Sequence, residues 1–383
     1  MVHIPSRGDV PVRLGPDVQR VPDYGPSTMP ADVYNDPARF QLERERVLAT
    51  HWILAGRSSQ AADPGDWLTF EGHGETVVVT RQPDGSLAAF HNVCQHRGPA
   101  IVGEAVGCGA RRFTCPYHGW VYDTTGVVVG VPEREDFAEE HLDGLRAPAV
   151  AVDEWGGWIW INLEGPDAAG PLLEGIGAEI AADLGRFRMD DMVLHDVLEW
   201  NVPVSYKAIV DGFNEIYHTR QLHGVDAEWV QASRDASFHI VGDNYMCFVP
   251  RAERLEELAK DPDHHRYAIC HYVVFPNTVF NCNPEHIQVF HPIPIDVDRT
   301  RFLCWELIYD GDDGDPDYAA YLERTMAHWE RLEGVVGEDI AIYDQLARTK
   351  RSSGYRQHVL SERECKLAHY HENMDRKIRA ARD

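Results

Sequence analysis

The chain has 383 residues, long enough to bury a sizeable core and to hold two domains. It sets 62 Asp and Glu against 36 Lys and Arg, a formal net charge of −26, so nucleic acid and anionic membrane surfaces are poor partners: the field repels phosphate. No stretch reaches the roughly 18 apolar residues that a spanning helix needs, and Met1-Val2-His3-Ile4-Pro5 does not open a secretory signal, so a cytoplasmic protein is expected.

In chain order, residues 1–33 carry Pro at 5, 11, 16, 22, 26 and 30 with little periodicity and read as an extended arm. From Asp36 to Thr50, Phe40, Leu42, Val47 and Leu48 are interleaved with Glu43, Glu45 and arginines in the pattern of an amphipathic helix. The period then changes. Runs at 52–56, 67–70, 76–80 and 87–90 are short and β-rich, punctuated by Pro64-Gly65, Gly72 to Gly74 and Asp84-Gly85. Further strands at 121–122, 127–129 and 158–161 precede a Gly165-Pro166 boundary. The expected organisation is an arm and helix at 1–47 packing on the second domain, a small antiparallel β domain at 48–165, and a larger domain at 166–383. That larger part mixes helical patterns at about 172–187, 205–218, 250–260 and 318–348 with strands at 268–274, 278–281 and 287–292, the last two joined through Asn283-Pro284-Glu285. Helices and antiparallel strands segregate, so the fold class is α+β instead of a parallel α/β sheet.

Two segments of the β domain carry chemistry: Cys94-Gln95-His96-Arg97-Gly98 and Cys115-Pro116-Tyr117-His118-Gly119-Trp120. Each offers one thiolate and one imidazole, so two loops must fold back on a shared metal group. Zinc fingers usually pair Cys with Cys and His with His. In a Rieske [2Fe–2S] centre two Cys hold one iron and two His the other, which suits mixed C-x-H and C-x-x-H halves; a structural zinc site is the alternative. The remaining cysteines (108, 247, 270, 282, 304 and 365) form no C-x-x-C pair and read as buried small residues.

A second constellation begins at His218 and His223, which an ideal helix would place about 140° apart, so both face one ion only if the helix ends or distorts; Gly224 permits an ending. Before them Tyr206, Ile209, Val210, Phe213 and Tyr217 make an apolar stripe, and Lys207, Asp211, Asn214, Glu215 and His218 a polar one that, taken alone, faces water. A one-electron cluster needs somewhere to send its electron, and two His with one carboxylate form the facial triad of O₂-activating Fe(II). Asp339 is the candidate carboxylate. Leu332, Val335, Val336, Ile342, Tyr343 and Leu346 surround it at helical spacing, while Glu338 points off that face. A buried carboxylate needs a cation, either a ferrous ion or a buried Arg or Lys.

From Tyr34 to Ser353, through Phe90-His91-Asn92-Val93, both cluster loops, Trp155-Gly156-Gly157-Trp158-Ile159 and Asn214-Glu215-Ile216-Tyr217-His218, the chain resembles the Rieske non-haem iron oxygenases, specifically the large (alpha) subunit of ring-hydroxylating oxygenases. The resemblance implies a [2Fe–2S] cluster on Cys94, His96, Cys115 and His118, and Fe(II) on His218, His223 and Asp339. It makes Glu215, three residues before the first His ligand, the electron-transfer bridge. It also implies a homotrimer in which one subunit's cluster faces its neighbour's iron, fed by a ferredoxin or flavin reductase and using O₂. No G-x-G-x-x-G follows a strand, so the electrons come from another protein.

The expected function is O₂-dependent hydroxylation of an aromatic or alicyclic small molecule. The alternative is monooxygenation or N-demethylation of a betaine- or carnitine-like quaternary ammonium compound, favoured by Glu215, where many ring-hydroxylating members carry Asp and some members acting on quaternary ammonium compounds use Glu. Gly212 is a second departure, standing where related sequences commonly have Asn. Candidate pocket residues are Phe280, Cys282, Ile287 and Val289 of the hairpin with Asp211 and Phe213, or else these are plain core. Arg97, Arg111 and Arg112 stand beside the cluster loops of an acidic chain. They suit docking of an acidic electron donor, or internal pairing with Glu104 or Asp123.

Overall fold

Short β-branched and aromatic runs, turned where Gly65, Gly74 and Gly85 take positive φ, build the first of two units in the computed structural model, Leu48–Gly175. The described residues are 26–224, 236–251, 254–260, 264–311 and 314–380, so most of the expected arm at 1–33 lies outside them. Seven antiparallel strands run in the order Ile53–Arg57, Trp158–Asn162, Ala149–Trp155, Leu87–His91, Glu75–Arg81, Trp67–Gly72 and Val106–Gly107. Phe113–Thr114, Val121–Tyr122 and Val128–Gly130 form a second, three-stranded sheet. Trp67, Phe90, Phe113, Trp120 and Tyr122 make one apolar cluster that also takes in Cys94 and Cys115. The division falls at Gly175, past the expected Gly165-Pro166, because the following segment stays packed on Trp52. Trp52 Nε1 donates to Gly170 O at 3.0 Å, and a Cβ on Gly175 would sit 2.7 Å from Trp52 Cδ1.

The second unit joins the chain up to Val47 with everything from Ile176 onward. Its seven strands are all antiparallel, in the order Met192–Val202, Arg299–Tyr309, His286–Asp296, Thr278–Cys282, Ala268–Val274, Asn244–Pro250 and Ser237–Val241. Because side chains alternate across a strand, the sheet has two distinct faces. On one, Val273, Val279, Phe290 and Phe302 pack with Ile209, Trp329, Val336 and Tyr343 from the helices Tyr206–Gly212 and Pro316–Thr349. On the other, Tyr272 donates to Asp183 of the helix Ala178–Leu184 at 2.7 Å. The long helix starts where Asp315 accepts from Asp317 N at 2.8 Å and Pro316 fills the first position. This is the α+β class expected.

Five local expectations change. The helix expected at about 172–187 is broken at Gly177, whose φ is +87°, and the one at 205–218 stops at Gly212. Pro250 closes a strand, which leaves only Leu255–Lys260 helical in the third. Lys207, Asp211 and Asn214 do not face water: all three are buried. Lys207 pairs with Glu43, and removing one partner of so buried a pair costs roughly 3–5 kcal/mol. Cys108 is exposed, against the expectation for it, whereas the other five bystander cysteines are buried. Among the described residues no helix is long and apolar enough to cross a membrane.

Candidate metal centres

In the first unit each cluster segment is a closed turn made by its own backbone. Gly98 N donates to Cys94 O at 2.8 Å, and Cys115 N to Trp120 O at 2.8 Å. Gly98 (φ +85°) and Gly119 (φ +72°) occupy the positions that only glycine takes without strain. Asn92 anchors the first turn, accepting from Ile101 N and Val102 N, each at 2.9 Å. The expected ligands come together as two like pairs as a result. Cys94 and Cys115 are buried, and the rings of His96 and His118 lie 4.5 Å apart. His96 stacks on Trp120 at 5.0 Å, with its buried Nδ1 lacking a hydrogen-bond partner. Tyr122 donates to Cys94 Sγ at 3.2 Å, the kind of contact that tunes a thiolate-bound cluster. Two buried thiols, two adjacent imidazoles and one orphaned ring nitrogen fit a Rieske cluster.

The second site is assembled from distant segments. After Gly212 the chain turns, and the short helix Thr219–Leu222 sets His218 and His223 at its two ends. The long helix brings Asp339 to them. His218 Nε2 and His223 Nε2 lie 3.7 and 3.6 Å from the same Asp339 oxygen, and one ligand atom from each residue falls within 4.8 Å of the others. Asp339 has no Arg or Lys ion pair among the described residues. Burial pushes its pKa up to about 6, against the lowering influence of the two imidazoles, so the carboxylate lacks a full counter-charge. Two imidazoles and one carboxylate fit a ferrous ion with positions left open.

Both histidines are backed by carboxylates. Glu215 takes His218 Nδ1 and also accepts from His218 N at 3.1 Å, while Glu338 Oε2 lies 2.7 Å from His223 Nδ1. A carboxylate only accepts, so each Nδ1 carries the proton and each Nε2 keeps its lone pair for a metal. Burial by itself lowers the His218 pKa, but the hydrogen bond and charge of Glu215, with Asp339, raise it overall. Glu338 points off the apolar face of its helix as expected and is half-exposed, yet its carboxylate still reaches the site. Its adjacency to Asp339 was the available signal, because a residue next to a helical ligand can still reach a neighbour packed against the helix.

The triad sits in the wall between two cavities of this unit. The smaller, about 110 Å³, is lined by Phe213, Ile216, Val249, Ile269, Phe290 and Leu332, with Thr219, His271, Asn281 and Arg331 as polar members beside the triad. The larger, about 970 Å³, lies on the side of Tyr34, Asp211, Tyr343, Tyr355 and His358. Glu215, His218 and Asp339 reach both. Of the expected pocket residues Phe213 lines the small cavity. Phe280, Cys282, Ile287 and Val289 do not: the register pairs Phe280 with Tyr272 and Val289, on the face turned to Asp183, and all four are fully buried there. Shifting one residue along each strand gives Asn281 and Phe290, which face the cavity. Asp211 lines only the larger cavity, held by the Tyr34 hydroxyl and by His371 Nε2 2.7 Å away. Gly212 has a packing reason, since a Cβ there would collide with the Tyr343 hydroxyl.

Arg97 lies over the Tyr117 ring at 5.4 Å. Arg111 and Arg112 are exposed and make no ion pair among the described residues. Asp123, offered as a possible partner, instead accepts from Thr125 N at 2.8 Å and Val127 N at 3.0 Å.

Residues 182–380 match the family described as the ring hydroxylating alpha subunit (catalytic domain), and residues 51–145 match the Rieske [2Fe-2S] domain. The chain belongs to the ring-hydroxylating oxygenase alpha-subunit family. It is a Rieske-type non-haem iron oxygenase whose cofactors are a [2Fe–2S] cluster and a mononuclear Fe(II), which removes the zinc alternative. The chain is 28% identical over 333 residues to the carnitine monooxygenase oxygenase subunit of Escherichia coli (strain K12), covering 86% of each. It is 32% identical over 362 residues to the biphenyl 2,3-dioxygenase alpha subunit of Rhodococcus jostii (strain RHA1), covering 81% of this chain and 75% of that one. A solved quaternary ammonium Rieske monooxygenase shares the fold. Its complex with L-carnitine superposes with TM-score 0.75 at 22% identity, over 91% of this chain and 95% of that one. Its complex with γ-butyrobetaine gives 0.72 at 23%, over 91% and 94%.

Proposed function

We propose that this protein is the terminal component of a multi-component oxygenase that hydroxylates a small quaternary ammonium compound. The arrangement of His218, His223 and Asp339, with Glu215 and Glu338 fixing the ring protons, carries the reading. Cys94, His96, Cys115 and His118 would hold the cluster, and the triad the iron, which together supply one-electron transfer and O₂ activation when bound. The residues themselves perform positioning work. Glu215 holds His218, reaches both cavities, and is the bridging residue of this reading. Phe213 and Phe290 stack at 4.1 Å and give the small cavity an apolar wall. That cavity is smaller than the roughly 150 Å³ space known to hold a benzene ring, so it suits a compact group over fused rings.

The substrate choice rests on Glu215 and on the carnitine monooxygenase relative, a protein named for the activity it has. Net monooxygenation places one atom of O₂ in a C–H bond and releases the other as water, consuming two electrons and two protons from outside the chain. Hydroxylation of a carbon bonded to the quaternary nitrogen gives a carbinolamine, which breaks its C–N bond into a tertiary amine and an aldehyde. A ferredoxin or flavin reductase would deliver the electrons, docking at Arg111 and Arg112, and a homotrimer would bring one subunit's cluster to its neighbour's iron. A solved relative described as showing inter-subunit electron transfer supports that assembly.

The test incubates reduced holoenzyme with O₂ and either trimethylammonium acids or single-ring arenes. Tertiary amine and aldehyde in equal amounts are expected from the first. Diol or phenol from arenes, with no amine from any ammonium compound, would restore the aromatic reading.

A further inference from the structure

The small cavity holds a polar feature that the metal chemistry does not use. Across the catalytic sheet, His271, Asn281 and Gln288 stand opposite one another in register on three neighbouring strands. Only the first two line the cavity. Their hydrogen-bond directions are set from outside it. Arg251 can only donate; it is anchored by Glu285 at 3.0 Å and gives a hydrogen bond to Asn283 Oδ1 at 3.4 Å. Asn283 must then present its amide nitrogen to Gln288 Oε1, 3.3 Å away. Gln288 Oε1 also accepts from Asn281 Nδ2 at 2.7 Å. One chain of donors thus fixes which way each amide points, and it ends with Asn281 Oδ1, a buried acceptor with no partner. His271 Nδ1, across the ladder, is likewise buried and unpaired. Burial, with help from Lys366, pushes the His271 pKa down to about 3, so the ring stays neutral, with one nitrogen to donate and one to accept.

We propose that Asn281 Oδ1, with His271 beside it, receives a hydroxyl group of the substrate, so that these two residues select hydroxylated over deoxy compounds. An acceptor beside a neutral imidazole suits a group that both donates and accepts. A carboxylate has no proton to give Asn281, and a quaternary nitrogen has no N–H, so within the substrate class proposed above, on which this assignment rests, the group must be a hydroxyl. Its position at the cavity wall also orients the molecule, because the hydroxyl fixes which carbon faces the triad.

L-carnitine and γ-butyrobetaine differ by one hydroxyl, which makes them the probes. Their dissociation constants are measured calorimetrically with oxidised, metal-loaded enzyme without O₂, so that no turnover enters the readout. Wild type should favour the hydroxylated compound by roughly three- to tenfold, the range of one neutral hydrogen bond. Asn281→Leu should bring the ratio to about one by weakening carnitine alone, and Asn281→Asp, which keeps an acceptor, should retain the preference. Unchanged mononuclear iron content and thermal unfolding midpoint report that each variant folds. A wild-type ratio near one, or an Asn281→Leu variant that loses both ligands equally, overturns the assignment. If neither ammonium compound binds, benzyl alcohol and toluene are compared in the same way. A preference for the alcohol that Asn281→Leu abolishes keeps the hydroxyl site and removes the ammonium reading, whereas no preference in either pair removes the hydroxyl site.

Discussion

The two metal regions are built on opposite principles. The cluster region draws its four candidate ligands from one stretch, Cys94 to His118, whose turns are closed by their own backbone hydrogen bonds and by glycines. The iron region takes two ligands from a short turn and the third from a helix more than a hundred residues later, and each imidazole depends on a carboxylate for its orientation. A locally closed site is written in the sequence as spacing. A site closed over long range is written only as burial, through side chains that have no reason to be adjacent until the sheet and the helices pack.

That contrast predicts clean separability, and the largest effects test it. Cys94→Ala should abolish the Rieske absorption and the reduced EPR signal while leaving mononuclear iron bound. His223→Ala and Asp339→Ala should do the reverse, losing turnover and one iron with an unchanged cluster spectrum, as iron analysis and EPR on the same samples would show. An Asp339→Ala variant that keeps its mononuclear iron would mean that another carboxylate closes the site.

Within the iron region the two supporting carboxylates separate by function. Glu338→Gln replaces an acceptor-only carboxylate with a neutral amide that can turn either its oxygen or its NH₂ toward His223, so it weakens the group that fixes the tautomer, and such supporting groups are worth roughly 10–100-fold in metal affinity. Iron should therefore dissociate more readily under chelator competition. Glu215→Gln should retain iron better in comparison, since Glu215 also accepts the His218 backbone N–H, yet it should slow single-turnover oxidation of the reduced cluster by a similar factor. Equal behaviour of the two variants in both measurements would erase the distinction between bridge and support.

The same contrast explains what could be read from the sequence. Spacing singled out the candidate cluster ligands and the His218 and His223 pair, and the segregation of helices from strands gave the α+β class. Helical periodicity singled out Asp339, although Ile342 and Leu346 of its supposed apolar face are partly exposed and line the larger cavity. The strand residues failed because period-two alternation says that residues share a face without saying which face is the cavity. Phe280 and Asn281 differ by one position and end on opposite sides of the sheet. Asn281 in an apolar run was the usable clue, since a polar residue in a central strand needs a partner or a task. The polar stripe of 207–218 failed for a related reason: Lys207 and Asp211 find buried partners in Glu43, Tyr34 and His371, all remote in sequence.

A smaller effect tests the outer surface of the cluster region. Arg111 and Arg112 are exposed cations in a strongly acidic chain, and steering of this kind changes association rates by roughly ten- to a thousandfold at low salt. With two surface charges involved, Arg111→Glu with Arg112→Glu should slow donor-driven turnover by about tenfold at low ionic strength and flatten its salt dependence. A chemically pre-reduced sample should complete a single turnover at the normal rate. Donor-driven turnover equal to wild type at low salt would place docking elsewhere.

The last prediction leaves turnover untouched and concerns how the two regions treat buried polar groups. In the cluster region the buried thiols and the orphaned imidazole nitrogen are accounted for by a metal group. In the catalytic sheet Glu306 is 0% exposed, stands in register with Gln288 and Asp196, and neither of its oxygens has a hydrogen bond of good geometry. Burial pushes its pKa up to about 9, with a small opposing influence from Gln288. The folded protein thus holds this proton more tightly than the unfolded chain, whose carboxyl titrates near 4.5. The stability associated with Glu306 is complete below that unfolded value and falls as pH rises toward about 9, by roughly 1.4 kcal/mol per pH unit. Glu306→Gln keeps the shape and stays neutral at every pH. Its unfolding midpoint should lie close to that of wild type near about pH 5 and move progressively above it by about pH 8. A difference that is flat across this range, or that reverses sign, would show that Glu306 is ionised in the fold and held by a charge partner.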